Sequence, residues 1–154
     1  MKIRIVAVGV STLLSMGLYA APPLGTPPDL TQEGVIANTE HKYTCNLGSS
    51  GMRGWIFTHA NNNLDASQGR TTGASRQILV TYVGIKSPAD GAMQVDDVIL
   101  GINGKPFTDD ARKSIARAIQ EAEKESNQGV LKLMRWRAGK TEDVSRNQNI
   151  RMKP

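Results

Sequence analysis

Residue types that do chemistry are sparse in this chain of 154 residues. Ser49 and Ser50, with His41, His59 and Asp65, supply on paper a nucleophile, a base and an orienting carboxylate. Their spacing does not support that chemistry. Gly48-Ser49-Ser50-Gly51 lacks the Gly-x-Ser-x-Gly register that holds a nucleophile on a strained strand-to-helix turn, and serines beside glycines simply make turns. No catalytic residue is expected. His41 and His59 belong to no helical His pair and no carboxylate–His cluster, so neither a metal nor a cofactor is expected. Cys45 is the single cysteine and cannot close an intrachain disulfide; on a strand it reads as a small buried hydrophobe. Asp96-Asp97 is no acid pair, because adjacent strand residues point to opposite faces. Trp55 and Trp136 read as core or groove wall. Lys132, Arg135, Arg137 and Lys140 read as a solvated hairpin face.

Charge excludes a further class. The net charge is +5, but Lys2, Arg4, Arg146, Arg151 and Lys153 sit at the two ends, leaving 14 basic residues against 14 acidic ones. A sequence-independent grip on phosphates needs clustered cations that displace counterions, and no such cluster lies between residues 21 and 145. No nucleic-acid partner is expected. Aromatic residues are only 5% of the chain, which implies a modest core built on Ile, Val, Leu and Ala.

The elements that position these residues begin after an address. Met1 to Arg4 is basic, Ile5 to Leu18 is mostly apolar, and Tyr19-Ala20-Ala21 ends in small residues before Pro22. These are the parts of a secretory signal peptide over residues 1–21, cleaved after Ala20 or Ala21. The expected product is secreted or periplasmic, without stable membrane insertion. The alternative is an uncleaved N-terminal anchor, although the apolar stretch falls short of the roughly 20 residues that span a bilayer. Residues 22–40 hold four of the seven prolines and read as an extended spacer.

The folded body is expected over residues 41–144. Lys42 to Leu47 and Trp55 to Phe57 suit short strands, and the polar stretch from Thr58 to Ser75 suits a long loop. Ile78 to Val83 is the clearest strand, short and β-branched. Ser87 to Ala92 predicts one or two helical turns, opened by a capping Ser and a Pro at the first position. Asp97 to Ile102 is a strand that ends at the turn dipeptide Asn103-Gly104. Thr108 to Asn127 is the long helix: Thr108 caps it, Ala111, Ile115, Ala118, Ile119 and Ala122 form its apolar stripe, and Arg117 faces Glu121. Val130 to Trp136 and Thr141 to Val144 complete the strands. Ser145 to Pro154 loses strand alternation and reads as a polar tail, either a natural terminus or a truncation.

The run Ser87-Pro88-Ala89-Asp90-Gly91-Ala92-Met93-Gln94-Val95-Asp96-Asp97-Val98-Ile99-Leu100-Gly101-Ile102-Asn103-Gly104-Lys105-Pro106-Phe107 resembles the signature of a PDZ domain. Asp96 stands where that family places a glycine in left-handed backbone, a conformation Asp tolerates better than most residues. The resemblance implies an α+β fold: a partly open β-barrel of five or six short strands, capped by one short and one long helix. It extends, with Gly51-Met52-Arg53-Gly54-Trp55-Ile56, to the N-terminal PDZ segment of large secreted bacterial proteins.

The resemblance also implies a site. A partner peptide adds as a strand beside the second strand, facing the long helix, and a glycine-rich loop binds its C-terminal carboxylate. By that resemblance Gly51, Met52, Arg53, Gly54, Trp55 and Ile56 form the loop and strand, while Ala111, Ile115 and Ala118 line the groove. Arg53 replaces an apolar residue; it either adds a cation to the carboxylate site or points to solvent. The expectation is an exported, non-enzymatic module that binds a peptide or protein. The alternative is the substrate-recognition domain of a secreted protease whose catalytic domain is absent from this chain. A weaker third reading is an inert spacer.

Overall fold

A computed structural model describes residues 26–39, 44–60 and 70–147; at 59–60, 70–71 and 146–147 it describes the backbone alone. The expected signal peptide lies outside the described residues. Strands β1 (Thr44–Asn46), β2 (Met52–Ile56), β5 (Ile78–Val83), β6 (Val98–Ile102), β8 (Val130–Arg137) and β9 (Lys140–Asn147) form one open antiparallel sheet in the order β1-β2-β5-β6-β8-β9. A seventh strand, β7 (Lys105–Pro106), pairs back on β6, and β3 (His59–Ala60) pairs with β4 (Arg70–Thr71) in a separate ribbon. The helices are the short α1 (Val35–Asn38) and the longer α2 (Ala111–Ala122).

The sheet is covered on both faces. On one side α2 buries Ala111, Ile115, Ile119 and Ala122 against Met52, Ile56, Ile78, Val80, Ile99 and Leu133. This is the stripe that the helical spacing predicts. On the other side Leu30, 1% exposed, packs with Trp55, Leu79 and Val98, and Val35, Ile36 and Trp136 close around it. The proline-rich stretch is therefore not a free spacer over residues 26–39. Its backbone is tied down as well: the Leu30 amide donates to Gln77 Oε1 at 2.7 Å, and the Gln77 side-chain amide donates to Asp29 at 2.9 Å. Partial burial works against ionisation of the Asp29 carboxyl. Hydrogen bonds from Gln77, Thr31 and Gln32 outweigh it and hold the group below its ordinary value.

Several local expectations change. Ser87 to Ala92 forms consecutive turns rather than a helix, with the Ala89 amide bonded to the Ser50 carbonyl at 3.1 Å. The short helix lies instead at α1. Asp110, not Thr108, caps α2, accepting from the amides of Arg112 at 3.0 Å and Lys113 at 3.3 Å. Its carboxylate is fixed from the far side by the Thr72 hydroxyl at 2.7 Å. Arg117 pairs with Asp109 rather than Glu121, which meets Lys124. Cys45 is half-buried rather than buried. The tail does not begin at Ser145: β9 runs on to Asn147, opposite Val130.

The basic set divides in the same way. Lys132 and Lys140 are exposed, but Arg135 donates to the Ala92 carbonyl at 2.7 Å and to Glu142. Arg137 forks onto the fully buried Asp97, with contacts of 2.6 and 2.7 Å. Asp97 also accepts from the Gln94 amide at 2.8 Å, so the pair ties the turn before β6 to β8. The expectations at the next two turns hold. Asp96 has φ 71°, and Asn103 and Gly104 have φ 52° and 72°.

Candidate peptide-binding groove

The residues expected to form the site lie on three different surfaces. Met52 and Ile56 on β2 and Ala111 and Ile115 on α2 are buried together in the main core, with Ala118 partly buried beside them. Ile115 is only 2% exposed, so it is a core residue and presents no open groove wall. Trp55 points through the sheet to the opposite cluster, where Leu30 covers it. That is the ordinary alternation of a strand; the register shift opposite Arg53 and Gly54 lies on β5, where Thr81 has no partner in the β2–β5 register.

Gly51 and Gly54 are glycines for separate reasons. Gly51 has φ 76°, and a Cβ there would lie 2.2 Å from Ser87 Cβ. At Gly54 the backbone conformation is ordinary, but a Cβ would lie 2.6 Å from Ile78 Cγ2 and 3.2 Å from Leu47 Cδ1. The strand is pressed between two side chains there.

The outer edge of β2 is already taken. On one side β2 pairs with β5, and on the other β1 runs antiparallel to it, with Asn46 opposite Arg53, Cys45 opposite Gly54 and Thr44 opposite Trp55. Arg53 is exposed but bonded: its Nε donates to Thr44 Oγ1 at 3.1 Å and its Nη2 to the Thr44 carbonyl at 3.2 Å. It points to solvent, as one of the two expected readings has it, and there it clasps β1. After β1, Leu47 turns inward and is 3% exposed, in the same cluster as Met52, Ile56, Ile115 and Ile119. The 3-10 turn Gly48–Ser50 then crosses the C-terminal half of α2. A Cβ on Gly48 would touch Ile119 at 3.4 Å, and the Ser49 hydroxyl donates to Glu123 at 2.5 Å.

The loop amides expected to receive a carboxylate are engaged inside the same turn. The Gly51 amide donates to the Gly48 carbonyl and the Met52 amide to Ser50 Oγ, both at 3.3 Å. Sequence reasoning thus did not foresee that Thr44, Leu47, Gly48, Ser49, Ile119 and Glu123 surround the expected site. A signal for the hairpin exists in the sequence: Gly48 and Gly51 bracket a turn short enough to fold the preceding strand straight back on β2.

Ser50 Oγ donates to the Leu47 carbonyl at 2.7 Å, while His41, Asp65 and the side chain of His59 lie outside the described residues. Among the described residues no group of three or more His, Cys, Asp or Glu is placed to hold a metal ion. No helix among them is long and apolar enough to cross a membrane.

Residues 79–128 match the family model of the PDZ domain. The match runs from β5 through the turns, β6 and α2 to the turn that follows the helix. The fold is accordingly PDZ-like and α+β, an open antiparallel sheet with one longer helix; the family matched over those residues is one of protein- and peptide-binding modules. No curated protein matches the chain.

Proposed function

We propose that this chain is an exported, non-enzymatic binding module that takes an extended segment of a partner protein as an added strand on β2, facing α2. The observation that carries this reading is the seat of Leu47. A strand antiparallel to β2, followed by an aliphatic side chain buried in the cluster that holds Ile115 and Ile119, is how this groove is filled within the chain. Main-chain pairing supplies affinity in such a mode, and the pocket supplies selectivity for an aliphatic residue. Engagement of the loop amides within their own turn favours docking of an internal segment over capture of a free carboxylate. Export rests on the basic, apolar and small-residue parts of residues 1–21. The setting is that of the large secreted bacterial proteins whose N-terminal PDZ segment the sequence resembles.

The test is a screen of peptides ending in an aliphatic residue, each made with a free and an amidated C-terminus, against the exported protein. Affinities on the order of micromolar are expected, because little surface is buried and the peptide must be ordered. Equal binding of the two forms supports internal docking. Strict dependence on the free carboxylate would revive the loop as an anion site. An exported protein whose N-terminal residue is still Met1 would remove the signal-peptide reading.

A further inference from the structure

We propose that residues 44–50 are a built-in ligand of the β2–α2 groove, and that a partner segment carrying an aliphatic side chain enters by displacing them. The proposal rests on the reading of that groove as the binding site. Its first support is geometric. An incoming strand on the outer edge of β2 would take the positions opposite Arg53, Gly54 and Trp55 that Asn46, Cys45 and Thr44 already hold. Its side chain would take the place of Leu47, and its approach to the loop is blocked by the turn 48–50 against Ile119 and Glu123. No second strand fits while the first remains.

The second support is the manner of attachment. Of the segment 44–50 only Leu47 and Ser50 are buried; the rest is exposed or half-exposed. The clasp from Arg53 to Thr44 and the bond from Ser49 to Glu123 are both solvent-exposed. Few buried contacts and exposed hydrogen bonds mark the elements that open below the global unfolding energy. Displacement by a partner that supplies its own aliphatic side chain exchanges one buried residue for another, so the main core stays filled.

The probe is a fluorescent peptide with the sequence of residues 41–47 and serine in place of Cys45, titrated into the whole exported chain. Arg53→Ala removes the clasp on an exposed side chain and leaves the core untouched. Asn46→Cys/Arg53→Cys, made with Cys45→Ser, locks β1 in place, because facing residues of antiparallel strands lie about 4.5–5.5 Å apart, within the span of a disulfide. Apparent affinity scales with the fraction of open groove, so Arg53→Ala is expected to bind about tenfold more tightly than the parent. The oxidised lock should not bind, and reduction should restore binding. Equal affinity of parent, Arg53→Ala and oxidised lock overturns the proposal while leaving a binding module with its site elsewhere. No binding by any form overturns the groove as a binding site as well. Hydrogen exchange supplies a readout that needs no peptide. The Leu47 amide, bonded to the Met52 carbonyl, should exchange on the order of a hundredfold faster than the Val80 amide, bonded to the Asp97 carbonyl. Equal protection of the two amides means that β1 does not leave, and overturns the proposal whatever the peptide does.

Discussion

Replacing Leu30 by alanine tests whether the proline-rich stretch belongs to the fold. Leu30 is 1% exposed and seated on Trp55, Leu79 and Val98. Deleting most of a buried leucine costs about 2–5 kcal/mol, part from lost transfer energy and part from the cavity left behind. The segment 26–39 lies at the periphery and can settle into the gap, which places the expected loss near the lower end, about 2–3 kcal/mol. For a domain of this size that corresponds to a fall in Tm on the order of 10 °C. Both tryptophans of the chain lie in the cluster that Leu30 covers, so fluorescence reports directly on the cover. Urea titration followed by fluorescence and by circular dichroism should give the same lower midpoint with an unchanged slope. Ala37→Ser, on an exposed position of α1, is the control and should be neutral. A loss under about 0.5 kcal/mol for Leu30→Ala, the range of ordinary surface changes, would refute the packing argument and restore the stretch as a spacer.

Arg137→Met should cost about 3–5 kcal/mol by urea titration, because it leaves the fully buried Asp97 charge without its forked partner; a neutral result would show that Asp97 does not rely on that pair. The lowered Asp29 carboxyl adds stability that is fully present above its unfolded value of about 4 and is lost as pH falls through its lower folded value. The stability gap between the parent and Asp29→Asn should therefore be widest at neutral pH and close in acid; a gap that is constant with pH defeats this account. A chain ended at Val144 removes the pairs Lys132–Ser145, Leu131–Arg146 and Val130–Asn147 and should lose roughly 1–3 kcal/mol by thermal melting, an edge-strand loss of a few net hydrogen bonds. A chain ended at Asn147 keeps every one of those pairs and should melt like the parent.

Legibility in the sequence followed the range over which each element is determined. Ile78 to Val83, the stripe on α2, the turn at Asn103-Gly104 and the left-handed Asp96 are set by neighbours within a few positions, and each lies where the local pattern puts it. Leu30 carries no period of its own: it is a single apolar residue among prolines and polar groups, and only the far side of the sheet gives it a partner. β9 was legible up to Val144 and not beyond, because a strand at the edge of a sheet needs no alternation to pair through its backbone. Asp110 displaced Thr108 as cap because Thr72, distant in sequence, fixes its carboxylate. At the expected groove, the resemblance put a strand within Gly51 to Ile56, and one lies at Met52–Ile56. Its neighbour was hidden, since three polar or small residues, Thr44, Cys45 and Asn46, give little sign of which edge they will take.

The cover over the tryptophan face also sets an order of events in time. Leu30 leaves the ribosome before any of its partners exists. The Gln77 side chain that receives its amide lies 47 residues further on, and Val98 and Trp136 come later still. At roughly 5–20 residues per second, the wait for Gln77 alone lasts seconds. The sheet itself assembles from neighbours, since β8 meets β9 across a two-residue turn, whereas the cover must close a long loop. Leu30, synthesised before every partner in its cluster, is thus among the last to find its place, and until then Trp55, Leu79 and Val98 form an open apolar surface. A newly made chain is most exposed to aggregation and proteolysis in that interval, and substitutions at Leu30 lengthen it even where the final fold survives.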